Sequence, residues 1–140
     1  MMPGEKYQFD GISFKNGCHV CAFFNSRQQQ YRVLKHFIKE GLERGEKAFH
    51  IIDQRLHSDH LDRLRKGGIE VDQLLKSGQL EVNHWEKAHL REARFDQNAM
   101  LALIEEILTR GRSQGYPLTR FIANMEWSLE DFPGVADILE

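Results

Sequence analysis

Apolar and polar positions change their period several times along the chain, and each change marks an element. In Cys18-His19-Val20-Cys21-Ala22-Phe23-Phe24 both alternating sets are largely apolar, which predicts a strand covered on both faces. Asn25-Ser26 then opens a helix, with Ser26 and Gln29 in the spacing of a capping box. Leu34, Phe37, Ile38, Gly41 and Leu42 repeat as one apolar stripe, and Gly45 ends the helix in the C′ role. Ala48-Phe49-His50-Ile51-Ile52 predicts a second strand that stops at Asp53, completing a right-handed β-α-β unit.

The second half continues in the same style. A helix is expected from about Ser58 to Lys66, stopped by Gly67-Gly68, then a short helical turn over Asp72–Lys76 closed by Gly78. Leu80 to Trp85 alternates apolar and polar, as in a strand nearer the sheet margin. Glu86–Arg94 has no period and reads as a long connecting loop, of a length often used for lids and binding segments. Asp96 caps a helix whose inward positions are Met100, Leu101, Ile104, Ile107, Leu108 and Gly111, with Phe95 placed to staple onto Met100. A fourth strand follows at Leu118–Met125. The expected class is therefore α/β, a three-layer sandwich around a mostly parallel sheet. Residues 1–16 are expected to be a flexible N-terminal arm and residues 17–140 the domain. The tail, from Val135 to Glu140, starts like an apolar helix and carries no stop signal, so the domain is expected to be truncated there.

Composition narrows the class without naming a partner. At 140 residues the chain suits one domain with a substantial core. Its formal charge of −2 offers neither the basic excess of a nucleic-acid binder nor an acidic tail, so no direct contact with nucleic acid is expected. The start, Met1-Met2-Pro3-Gly4-Glu5-Lys6, lacks the apolar stretch of a secretory signal, and no apolar run is long enough for a bilayer. Cys18 and Cys21 would point to opposite faces of the first strand, which argues against a disulfide and for the reducing cytoplasm.

In an open parallel sheet, ligands gather beyond the carboxyl ends of the strands. That rule nominates Phe24, Asn25 and Ser26, then Asp53 with Gln54 and Arg55, Trp85 with Glu86, and Glu126 with Trp127. The two tryptophans are open between a ligand-lining wall and a cover over the sheet end. Glu126 and Asp53 are each open between a fixing point, a base and a solvated or turn-forming carboxylate. The first strand leads straight into a helix, where a phosphate loop would lie, yet no glycine occurs between Gly17 and Gly41 and no lysine between Lys15 and Lys35. A loop of that kind needs both, so triphosphate hydrolysis is not expected. His19 and Cys21 share a strand face; two ligands do not make a zinc site, His50 or His84 could add one only if the sheet order allowed it, and a buried histidine beside structural thiols is expected ahead of a redox sensor. His57 and His60, three apart on a helix, are another pair that most often marks only a surface. No catalytic motif, no metal set and no cofactor is expected.

His19-Val20-Cys21-Ala22-Phe23-Phe24, Phe37 through Glu46, Gly78-Gln79-Leu80, Gly115 through Arg120 and Met125-Glu126-Trp127-Ser128 together resemble the MEDS domain, the methanogen/methylotroph DcmR sensory domain. The similarity runs from about Gly17 to the end, and the order and spacing of the motifs carry it. The resemblance implies a RecA/KaiC-like sheet without a phosphate loop. It also implies a non-catalytic sensor of small organic molecules, hydrocarbon derivatives among them, coupled to a signalling or transcriptional output domain or protein. It places His19, Cys21, Glu126 and Trp127 among the family's characteristic positions. Two departures stand out. Phe24 occupies a place where tyrosine is common, and the chain stops where the family usually continues. The competing readings are a nucleotide-binding or hydrolysing RecA-like protein and a scaffold that forms homodimers.

Overall fold

The computed structural model describes residues 6–9, 11–15, 19–84 and 97–125. The sheet at its centre has three parallel strands in the order β4–β3–β5: β3 is Lys47–Ile52, β4 is Leu80–His84 and β5 is Thr119–Ala123. The register sets Ile52 opposite His84 and His50 opposite both Val82 and Ile122. All six residues of β3 are buried, including Lys47 and His50, as expected of a central parallel strand with both faces covered.

Alternation along β3 sorts the layers. Ala48 faces α1 (Arg27–Glu43), α2 (His57–Lys66) and α3 (Val71–Ser77), joining a buried cluster with Leu34, Ile38, Leu61, Leu64, Ile69, Val71 and Leu80. Full burial of a side chain such as Ile38 or Leu64 contributes about 1.5–3 kcal/mol. Phe49, on the other face, stacks on Phe121 at 5.8 Å and lies under the guanidinium of Arg110. Arg110 belongs to α4 (Gln97–Ser113), which therefore covers the second face and buries Ile107 and Gly111. The α/β class holds: a parallel sheet flanked by helices on both sides. No helix among the described residues is long and apolar enough to cross a membrane.

The ends of α1 follow the sequence signals closely. Ser26 Oγ accepts from the Gln29 amide at 3.1 Å while the Asn25 amide donates to Gln29 Oε1 at 2.7 Å, so the capping box is closed. Leu34, Ile38 and Gly41 are the buried stripe, and Gly45 takes φ 75° just past the end. Gly41 has a further reason to lack a side chain. A Cβ there would lie 2.6 Å from Cδ of Arg120. Arg120 is pinned, so the clash should outweigh the roughly 1 kcal/mol of helix propensity that alanine brings. We expect Gly41→Ala to destabilise the fold by a net 1–2 kcal/mol or so in urea titrations.

Two segments differ from the sequence expectation. Residues 19–24 form no strand. Cys21 and Ala22 are exposed, and Phe23 is 94% exposed. Apolar alternation states only a preference for burial, whereas a strand exists when its amides and carbonyls meet a neighbouring strand. Among the described residues β5 pairs with β3 alone and nothing pairs with 19–24. The first β-α-β unit is thus replaced by one in which β3 is followed by α2, α3 and β4. Within the region read as an arm, where no regular element was expected, β1 (Lys6–Phe9) and β2 (Ile12–Lys15) make an antiparallel hairpin. Phe9 packs edge-on against Phe37 of α1 at 5.6 Å, which docks the hairpin on the helix. The predicted Glu86–Arg94 loop, the Phe95–Asp96 cap and the tail lie outside the described residues.

Candidate functional site

At its carboxyl end β3 runs into Asp53, then a 3₁₀ turn over Gln54–Leu56, then α2. Asp53 caps the turn: its Oδ1 accepts from the Arg55 amide at 2.8 Å, and its carboxylate takes the Arg55 guanidinium on both oxygens. These bonds hold the Asp53 carboxyl below its usual range, against the opposing effect of burial, and the charges of Arg55 and Arg27 add to the lowering. Arg27 is the first residue of α1, so the capped helix start and the end of β3 share one rim. Arg55 is 73% exposed and lies over the buried Asp53 carboxylate.

Beside Asp53, four of the chain's seven histidines converge. His50, on the α2 face of β3, sets Nδ1 3.0 Å from Nε2 of His60, and Nδ1 of His60 lies 2.5 Å from the Tyr31 hydroxyl on α1. This file of three rings crosses from sheet to α2 to α1. His57, first in α2, and His84, last in β4, form a second pair with Nδ1 and Nε2 3.1 Å apart. Burial pushes the His50 imidazole well below its usual pKa, and the neighbouring His60 adds to that. Burial likewise lowers His60 to about 4, helped by His57 and opposed by Asp59. His57 is lowered by burial and then by His84. All three are therefore neutral at pH 7, and no carboxylate among the described residues bonds any of them. Nε2 of His50 is buried and has no hydrogen-bond partner among the described residues. An unpaired buried polar atom of this kind costs about 1–3 kcal/mol, which makes it a feature needing a cause.

Comparison with protein-family models gives one match over residues 18–140, to the MEthanogen/methylotroph, DcmR Sensory domain. The chain belongs to the MEDS family. Neither the curated proteins nor the solved structures contain a match.

The nominated residues fare unequally in this MEDS domain. Asp53 is at the rim and buried, in its turn-forming and guanidinium-binding role. Asn25 and Ser26 are exposed and spend their hydrogen bonds on the cap of α1, while Phe24 is half-buried. His19 and Cys21 are exposed on the segment that forms no strand, so the shared strand face expected for them is absent. Trp85, Glu126 and Trp127 lie outside the described residues. His57 and His60 part company: His60 turns inward to His50, and His57 turns to His84. Sequence reasoning missed the combination of Tyr31, His50, His60 and His84. The available signal was the alternation of β3, which puts His50 on the α2 face, together with a strand ending on His84.

Proposed function

We propose that this MEDS domain is a non-catalytic sensor that binds a small organic ligand, a hydrocarbon derivative with a polar group, at the carboxyl edge of β3 and β4. Binding there regulates a partner protein or a fused output domain. The observation that carries the reading is the file Tyr31–His60–His50, which crosses three elements and ends on a buried imidazole nitrogen with no partner among the described residues. Apolar neighbours such as Val82 and Ile122 stand opposite His50 in the register, so a ligand meeting that nitrogen would contribute one hydrogen bond within an otherwise apolar setting. Because the file joins sheet and two helices, a ligand that prefers one arrangement of the rings shifts α1 against α2. Only such a difference in affinity between two conformations can signal.

The same rim speaks against phosphate transfer. At the start of α1 the amide of Gln29 is already bonded to Ser26, and no glycine occurs between Gly17 and Gly41. We expect a thermal-shift screen of small organic compounds and nucleotides, run in the presence of a chelator, to yield stabilisation by organic compounds. A ligand at one hundred times its dissociation constant adds about 2.7 kcal/mol. Tyr31→Phe, which keeps the ring and removes the hydroxyl, should weaken that response at least several-fold. Silence across a broad library would count against the proposal, and stabilisation by Mg-ATP with phosphate release would replace it by a nucleotide enzyme.

A further inference from the structure

The His57–His84 pair is a different arrangement from the buried file, and it needs its own explanation. Both side chains are half-buried at the rim, within reach of solvent, so neither ring has to find a protein partner. Two such rings ordinarily turn to water. Here the parallel register carries His84 to the level of Ile52, the 3₁₀ turn brings His57 over the same spot, and their nitrogens converge to 3.1 Å with the rings at 82°. Among the described residues no carboxylate bonds either ring: Asp59, the first acid of α2, accepts from Arg63 at 2.8 Å.

Two imidazole nitrogens this close share either one proton or one ion. A tetrahedral ion with metal–nitrogen bonds of about 2.0–2.1 Å holds two such ligands about 3.3 Å apart, close to the separation present. We propose that His57 and His84 form an open two-imidazole site for a divalent transition metal of the zinc, nickel or copper class. Among the described residues no group of three or more histidine, cysteine, aspartate or glutamate side chains completes a cage. The ion therefore keeps its remaining positions for water or an exchangeable donor, and imidazole donors select it over calcium or magnesium. With two protein ligands the affinity order should follow the intrinsic preference of the ions, copper above nickel and zinc. This site departs from the sequence expectation of no metal. That reading could weigh His57 only with His60, its neighbour on the helix.

The test is calorimetric titration of the untagged, chelator-stripped full chain with Ni²⁺ and Zn²⁺, repeated on His57→Ala, His84→Ala and, as a control, His36→Ala on the exposed face of α1. We expect one saturable equivalent, weakened at least tenfold by either rim substitution and unchanged by His36→Ala. Circular dichroism and melting in chelator should match the parent, since both side chains are half-exposed. Full affinity in the His57→Ala/His84→Ala double variant, or no saturable binding up to millimolar metal, overturns the proposal. Because the organic-ligand screen is run in chelator, its outcome and this one are independent.

Discussion

Arg120→Ala should cost about 3–5 kcal/mol, a large part of the stability of a domain this size. Arg120 on β5 is 5% exposed and Glu46, just before β3, is 3% exposed. Nε of Arg120 donates to Glu46 Oε1 at 2.7 Å, its Nη1 donates to the Phe37 carbonyl at 2.9 Å, and its guanidinium lies 4.7 Å from the Phe37 ring centre. The side chain thus ties β5 to α1 and to the residue just before β3. Alanine leaves Glu46 buried without its donor and removes the side-chain donor that the Phe37 carbonyl accepts in addition to its helical bond. Desolvation of a stranded carboxylate is the dominant loss, larger than the lost contact area. The pair as a whole is worth far less than its halves. Replacing both residues, as in Glu46→Met/Arg120→Met, should cost less than Arg120→Ala alone, because no charge is then stranded. Urea unfolding of the two variants measures this. A loss below about 1 kcal/mol for Arg120→Ala, or a double variant worse than the single one, would show that the pair is solvated in practice.

This latch shows what the sequence did and did not disclose. Arg120 reads as one polar position in the alternation of the fourth strand, and Glu46 as an ordinary residue after a helix-ending glycine. Their contact spans 74 positions and depends on β5 lying beside β3, which no local period encodes. By contrast, the α1 cap, its stripe and its glycine end are local, and Ser26, Gln29, Leu34, Ile38, Gly41 and Gly45 behave as their spacing predicts. β3 and its stop at Asp53 were equally legible, because a largely apolar run between a helix and an acidic turn has few alternatives.

The misplaced element is instructive in the same terms. Residues 19–24 carry as good a strand pattern as β3, yet β3 has ladders on both sides and 19–24 have none among the described residues. Pattern sets the wish for burial and pairing decides the outcome. The rim was legible as a place, since the carboxyl-end rule selected Asp53 and Arg55. Its chemistry was not. His50, His57, His60 and His84 sit on a strand, on a helix and at another strand's end, and only the register of β3 with β4 and the turn into α2 bring them together.

That histidine file also makes the fold sensitive to acid. Its imidazoles must be neutral in the folded state, while in the unfolded chain they titrate near 6.5. A group whose folded pKa lies below its unfolded value contributes stability that is complete above the unfolded pKa. That contribution is lost as pH falls toward the folded value. For His60, at about 4 in the fold, the loss accumulates between pH 6.5 and 4 and amounts to roughly 3 kcal/mol at its lower limit. His50, lowered further by complete burial, acts in the same direction and deepens the fall. Asp53, held below the usual carboxylate range, enters only at lower pH, where its own stabilising ionisation is lost. The titratable and charged groups beside the file are Asp59, which partly favours a protonated His60, the His57 ring, and Arg63 stacked 5.3 Å from the Tyr31 ring. Their sum leaves burial in command. Urea unfolding at intervals from pH 7.5 to 4.5 should therefore hold nearly level above about pH 6.5 and then decline steeply as the pH falls. His60→Leu, which keeps the volume and removes the titration, should flatten the curve below pH 6.5 even where it lowers stability at pH 7.5. A flat profile in the parent, or an unchanged slope in His60→Leu, would mean that the imidazoles gain protons in the fold as easily as in the open chain.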